Sequence, residues 1–435
     1  SVGVVHIDGN GVGAIMRDLG DAHRHAKEAG VCTTATEVKT MPDDDLQSFI
    51  MTVNKHLDNV VKDAIALSWH EIQELTPKTT VPIVPVLVGG DDVTVYTDGR
   101  YAIPFAEAYI RHYEELTEKD ELLKQLAVVA GAKTAGPLTA SAGVAIVGRN
   151  FPFHIAYDLA EELVSRGKKP GTVPCSTINF HVLRDATVLD PEDTLDEYKG
   201  RSQRPFLVGC YAPDRIGDAT TTSSEKAPTA KPQPLSSWAR ILQAVAAFDG
   251  KKPDDPTQTT GDPFPRARAN RIVKLLADYV KVPKDDKARS KCLGYVLKGN
   301  EEAFATQEQI DNGKQKPDDG KQKPDDGKQK PDDEKTTKRC NHPICRIRLE
   351  WTDAQETARG TKTLVKALGP LPSKTRLDDP DEHTEDCIEQ VRWLLDLIDL
   401  SENLPDRYLA SRISRDTNIS GSAEAAAKST EGGAQ

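Results

Sequence analysis

No stretch of this chain approaches roughly 18 consecutive apolar residues, so no membrane span is expected. A charged, then apolar, then small-residue pattern, the mark of a secretory leader, is also missing at the start. A cytoplasmic protein is the expectation, and the cysteines given below carry it. Positive charge is not in excess. The formal net charge is −11, so the chain as a whole is not built as a nucleic-acid-binding surface. No RNA-recognition motif is visible, and the acidic balance argues against autonomous RNA binding, although it leaves room for a local basic groove. Cysteines are few: 7, an odd number, widely spread. That pattern belongs to reduced thiols and not to a disulfide framework. Aromatics make up only 5% of the residues.

What is present is a globular composition on the polar side, 37% apolar and 29% charged, in 435 residues, enough for two or three domains. Residue 1 is Ser where an initiator Met would stand, and strand-like sequence begins at once. Either a Met has been removed or the chain is a piece of something longer.

Residues 1–185 alternate between strand and helix patterns. Val2–Asp8 reads as a strand, followed by a tight glycine-rich turn over 9–13 and a short helix. A polar loop surrounds residues 30–45. Phe49, Val53, Leu57, Val60, Ala64 and Leu67 recur at helical spacing within 46–75. Two β-rich runs, 84–90 and 93–96, are separated only by Asp91 and Asp92, a hairpin signal. Pro82 and Pro85 place the start of the first of these strands late. A helix is expected over 101–116, a strand over 138–147, a helix over 154–168 and a strand over 177–183.

The order β-α-β-β-α-β, with one extra strand, predicts an α+β fold of the ferredoxin-like, split βαβ kind. That topology sets the first strand beside the central hairpin, so Asp8 can approach Asp91 and Asp92.

Beyond residue 185 the sequence turns irregular, and a Thr/Ser/Lys/Pro-rich linker follows. Helices are expected over 238–248, 267–280 and 291–297. Gly-Lys-Gln-Lys-Pro-Asp-Asp then occurs three times in tandem, from Gly313, Gly320 and Gly327. With no apolar residue it can bury no core and should be disordered. The last clear helix spans 385–400. The expected division is therefore an α+β unit over 1–210, a linker over 211–235 and a helical domain over 236–310. Disordered repeats over 311–336, a continuation of the helical region over 337–417 and a frayed tail over 418–435 complete it.

Asp8, Asp91 and Asp92 each end an apolar run beside glycine. Strand ends that present carboxylates in this way suit two Mg²⁺ or Mn²⁺ ions held against a triphosphate. A plain β-turn also uses Gly and Asp, but here the motif lies between two hydrophobic strands with a further strand-end Asp upstream. Clustered carboxylates repel one another and confer no structural benefit by themselves, which favours a functional role.

Asp-Gly-Asn-Gly-Val-Gly (8–13), Gly-Gly-Asp-Asp-Val (89–93), Leu-Thr-Ala-Ser-Ala-Gly-Val-Ala-Ile (138–146) and Ala-Glu-Glu-Leu-Val-Ser-Arg-Gly-Lys (160–168) fall in family order and spacing. Over roughly residues 1–210 the chain resembles the Palm domain of the large polymerase/cyclase subunit of type III CRISPR effector complexes. Stand-alone CRISPR-type polymerases are similar, and diguanylate cyclases are more distant. The resemblance implies ATP as substrate, cyclic oligoadenylates as products and a role in antiviral signalling. It implies that Asp8, Asp91 and Asp92 hold two divalent ions and carry catalysis. Nucleotide contacts are implied for Gly9, Asn10, Gly11, Gly89 and Gly90, for Ser141 near the nucleobase and for Lys168 at the triphosphate.

The chain departs from the family's full-size subunit. It has no His-Asp dipeptide, no Cys cluster between two Palm units and only one Palm-like unit. In the family two Palm domains contribute to the site, so a homodimer or a second Palm-containing subunit is the implied partner. A GTP-using enzyme of the diguanylate-cyclase kind is the second reading, and Val93, where that group carries Phe, argues against it. A non-catalytic nucleotide sensor or scaffold is the third. Phe264-Pro265-Arg266-Ala267-Arg268 and the helix after it loosely resemble the helical region that follows the family's Palm.

Two features take the blander interpretation. Cys340, His342, Cys345, His383 and Cys387 offer zinc-type ligands, but Cys-x₄-Cys is not a usual knuckle, so free thiols and surface histidines are favoured. His6, alone in a strand, is read as a packed residue and not a base.

Overall fold

A computed structural model describes residues 1–31, 46–76, 79–168, 174–184, 190–209, 237–253, 255–281 and 389–413, with isolated residues between 346 and 364. The expected helix over 291–297, the linker, the tandem repeats, the tail and the five candidate zinc ligands lie outside the described residues.

The N-terminal part is a six-stranded sheet of β1 (Val2–Asn10), β2 (Ile83–Gly89), β3 (Asp92–Asp98), β4 (Thr139–Val147), β5 (Thr177–Val182) and β6 (Phe206–Leu207), in the order β2-β3-β1-β4-β5-β6. β1 pairs antiparallel with both β3 and β4. The first four strands therefore have the ferredoxin-like arrangement expected from the sequence, and the fold is mixed α and β.

The sheet is covered on both faces. Val5, Ile7, Val93, Val95, Ala142 and Val144 pack with α3 (Leu46–Leu75) and α4 (Gly99–Lys119). The alternate residues Val4, Ala145 and Val147 pack with Ala156, Leu159 and Leu163 of α6 (Phe153–Lys168). Strand side chains alternate between faces, so residues of one parity in β1 meet α3 and α4 and those of the other parity meet α6. The parallel step β4-α6-β5 is the crossover that puts α6 on its own face. It comes very close: a Cβ at Gly143 would lie 2.0 Å from the Ala160 carbonyl oxygen, so only glycine fits there.

Several boundaries differ from the sequence reading. β1 runs two residues past Asp8, because Gly9 and Asn10 still pair with Ala140 and Thr139 of β4. β2 begins at Ile83 and includes Pro85, which an edge strand tolerates, and the register shifts between Pro85 and Leu87. Leu67 is 42% exposed, whereas Ser68 is buried and donates to the Ala64 carbonyl at 2.6 Å. The short helices α1 (Val12–Arg17), α2 (Leu19–Glu28), α5 (Glu121–Leu126) and α7 (Pro191–Asp196) are regular elements. Of these only a short helix after the first turn was expected. α7 and β6 correct the irregular segment read after residue 185. α7 is polar, and its signal is its cap, where Asp190 accepts from the backbone N–H of Glu192 and Asp193.

Beyond the sheet lie α8 (Trp238–Phe248), α9 (Arg266–Lys281), α10 (Glu389–Asn403) and α11 (406–413). They share the sheet's larger core. Phe206 of β6 stands 5.9 Å from Trp238 and 6.3 Å from Trp393 between ring centroids. Full burial of each large apolar side chain here is worth roughly 1.5–3 kcal/mol.

Two buried ionic groups join the same elements. Arg204 donates to Asp396 at 2.7 Å and lies 3.7 Å from the Phe180 ring centroid. Arg412 donates from Nε to Glu107 of α4 at 2.7 Å, and Tyr408 also donates to Glu107, at 3.3 Å. Among the described residues no helix is long and apolar enough to cross a membrane.

Candidate metal and nucleotide site

β1 and β3 bring their acidic ends to the same edge of the molecule. Asp8 and Asp92 stand next to Ile7 and Val93, the last residues paired between the two strands. Asp91 lies in the two-residue turn between Gly89 and Asp92, which pair with each other. Gly90 opens that turn with φ 61°, a left-handed conformation that favours glycine. Asp8, Asp91 and Asp92 each offer a carboxylate oxygen, and these atoms lie within 4.8 Å of one another. Sequence reasoning expected this convergence.

Gly9 has a physical reason to be glycine. A Cβ there would sit 2.8 Å from the Asp91 Cβ and 3.0 Å from its Oδ2. Gly11 has two: its φ is 80°, and a Cβ would lie 2.2 Å from the Ala130 carbonyl oxygen. Gly89 and Gly90 shape the hairpin, and a Cβ at either would meet nothing within 4 Å.

The carboxylates are held at an electrostatic cost. Burial, then the Asp8 charge, pushes the Asp91 carboxyl up to about 6. Burial followed by Asp8 also raises Asp92. The Asp91 charge also reaches the buried, stacked Tyr109 and Tyr113, ring centroids 5.9 Å apart, whose hydroxyls have no hydrogen-bond partner among the described residues. A half-buried carboxylate facing another carboxylate is a site that gains from a cation. Three hard oxygen donors match Mg²⁺ or Mn²⁺ and are a poor set for softer metals.

Lys168, at the end of α6, is ion-paired with Asp8 and donates to the Gly9 carbonyl at 3.4 Å. The resemblance implied a triphosphate contact. Here the ammonium is on a metal-type carboxylate, and the other Asp8 oxygen is outside that pair.

Ser141 and Asn10 are placed differently from what the resemblance implied. Ser141 is fully buried and donates to Asn10 Oδ1 at 3.0 Å. Asn10 Nδ2 donates to Thr139 Oγ1 at 3.1 Å and to the Cys175 carbonyl at 3.0 Å. Thr177 Oγ1 lies 3.1 Å from Ser141 Oγ and donates to the Gly167 carbonyl at 3.0 Å. A hydroxyl with no exposed surface offers no contact to a base. These side chains instead tie the ends of β1, β4 and β5 to the end of α6, one residue from Lys168. The register explains this: Ser141 pairs with Asp8 and so points to the face that α6 covers.

His6 is packed, as expected. It is 5% exposed, with Nδ1 3.0 Å from Thr94 Oγ1 and its ring edge-on to Tyr157 at 5.4 Å. Burial lowers its pKa.

The three aspartates, Gly9, Gly11 and Lys168 line a cleft of about 400 Å³, together with Gly13, Ala14 and Arg17. The sequence reading did not identify Arg17. Its only sequence signal is its place at the end of the short helix that follows Asp8. A neighbouring cleft of about 490 Å³ shares Ala14 and Arg17 and continues along α2.

Residues 1–172 match the family model described as Cas10/Cmr2, second palm domain. This part of the chain is thus similar to a palm domain of that CRISPR-associated kind. The chain matches no curated protein.

Proposed function

We propose that a chain whose residues 1–172 resemble a Cas10/Cmr2-type palm domain joins nucleotides in a metal-dependent nucleotidyl transfer. Its substrate in this reading is ATP, and its product is a cyclic oligonucleotide messenger of CRISPR-type antiviral signalling in the cytoplasm. The observation that carries the proposal is the convergence of Asp8, Asp91 and Asp92, from β1 and the β2–β3 hairpin, within 4.8 Å.

Asp8, Asp91 and Asp92 would hold two Mg²⁺ or Mn²⁺ ions, which when bound acidify an attacking 3′-hydroxyl and offset charge at the α-phosphate and the departing pyrophosphate. The protein's own part is to fix the carboxylates. Asp8 is held on a central strand, Asp91 in a two-residue turn and Asp92 at the start of β3, so each has little freedom to drift. Lys168 orients Asp8 through its ion pair. Gly9 and Gly11 keep the wall of the cleft free of side chains, so a nucleotide can approach the backbone closely. The partner in this reading is a second palm, most simply another copy of the chain, which completes the site across the open cleft.

Purified protein incubated with labelled ATP or GTP and Mn²⁺ or Mg²⁺, with products resolved by mass spectrometry, tests the proposal. A cyclic adenylate made by the native protein and lost in Asp91→Ala/Asp92→Ala supports it. A guanylate product transfers the proposal to GTP. No product from folded, metal-binding dimer overturns it in favour of a sensor or scaffold.

A further inference from the structure

We propose that Arg17 binds the β- and γ-phosphates of the nucleoside triphosphate in the acidic cleft and so selects triphosphates over shorter phosphates. This rests on the nucleotidyl-transfer reading above.

Arg17 ends α1 and lines the same cleft as the three aspartates. The other cations nearby are already engaged: Lys168 with Asp8, and Arg24 with Asp21. Arg17 is exposed and makes no ion pair or hydrogen bond among the described residues. Between Asp8 and Arg17 the cleft is lined by Gly9, Gly11, Gly13 and Ala14, none with a side chain larger than a methyl group, and a Cβ at Gly13 would meet nothing within 4 Å. A phosphate chain can therefore lie along it.

Charge balance calls for a cation at that point. Three carboxylates, one of them paired with Lys168, are outweighed when two divalent ions bind. A fully ionised triphosphate brings about four negative charges, more than that surplus neutralises. The remaining charge sits at the end of the phosphate chain, away from the aspartates. A guanidinium is suited to it, because its planar fork can donate to two phosphate oxygens at once.

The adjoining cleft sets where the phosphates stop. Past Arg17 its wall includes Asp18, Asp21 and Glu28, with Arg24 held by Asp21. A polyanion is repelled beyond that point, which leaves Arg17 as the last favourable contact.

Calorimetric titration of the full chain with α,β-methylene-ATP and with AMP, in Mn²⁺, tests the proposal, with native, Arg17→Ala and Arg17→Lys proteins compared. Loss of a charge-assisted contact should weaken the triphosphate analogue about tenfold to a hundredfold in Arg17→Ala. AMP and Mn²⁺ binding should change less than about twofold, and Arg17→Lys should recover part of the loss. Equal binding of the analogue by native and Arg17→Ala proteins overturns the role of Arg17 and leaves the transfer reading standing. An equal loss for AMP and the analogue also overturns it. No analogue binding by the native protein with Mn²⁺ bound overturns both.

Discussion

Gly9 and Asp91 lie so close that a single methyl group at Gly9 would stand 2.8 Å from the Asp91 Cβ. The position of one carboxylate is thus set by the absence of a side chain on the neighbouring strand. Gly9→Ala should displace Asp91 while leaving β1 in its pairing with β4. We expect Mn²⁺ affinity to fall and turnover to drop by about a hundredfold, the usual consequence of moving a reacting group by about 1 Å. Circular dichroism should be unchanged, and Mn²⁺ titration with a steady-state assay provides the check.

Asp91→Asn should make the metal-free protein more stable. The native carboxyl is pushed up to about 6 by burial and by Asp8. Its charged form therefore costs stability above that pH, and the cost fades as pH falls toward the ordinary carboxylate value. At pH 8 the amide removes a charge penalty of up to about 3 kcal/mol. The same change should abolish stabilisation by Mn²⁺. Thermal melts at pH 8 with EDTA and with Mn²⁺ test both halves; a lower Tm in EDTA would contradict the account.

His181 should make the fold acid-sensitive. Its ring is buried edge-on against Tyr198 at 4.5 Å, and neither ring nitrogen has a hydrogen-bond partner among the described residues. Burial, and then Arg204, pulls its pKa down to about 4. The folded state therefore holds it neutral. Stability from this group is present above the ordinary histidine value of 6.5 and is lost as pH falls from there toward 4. Between pH 7 and pH 5 the loss is about 2 kcal/mol. His181→Phe keeps the ring contact and should remove this part of the slope, as read from urea unfolding at the two pH values.

Arg412 and Glu107 form a buried pair, each 5% exposed. Arg412→Met leaves Glu107 charged and without its principal partner, and should cost about 3–5 kcal/mol. Arg412→Met combined with Glu107→Leu should recover most of that. Chemical denaturation of the single and double variants gives the coupling, and an additive result would rule out a shared network.

The acidic cluster was legible because Asp8, Asp91 and Asp92 each terminate an apolar run, and the β-α-β-β order makes those runs neighbours. Two kinds of feature were not legible. The fate of Ser141 depends on register: its partner in β4–β1 pairing is Asp8, which turns it under α6, and no local pattern encodes which helix lies above. Arg17 has the sequence signature of any solvated helix end, and only the cleft gives it a context. The short polar elements α2 and α7 carry too few apolar positions for a clear period, and α5, with Leu122, Leu123 and Leu126 in only 6 residues, is too short to show one.

The strand order also governs how the chain can acquire its fold during synthesis. β1 is made first among the described strands, yet it is central, flanked by β3 and β4. Until residues 92–98 and 139–147 have emerged from the ribosome, its backbone donors and acceptors lack their native partners. Glu107 must wait longer still, for Arg412. Much of this fold's closure entropy is therefore met late and over long sequence separations, which favours slow maturation. A cell making this protein must keep an unpaired, apolar first strand soluble until residue 147 of the 435 has emerged.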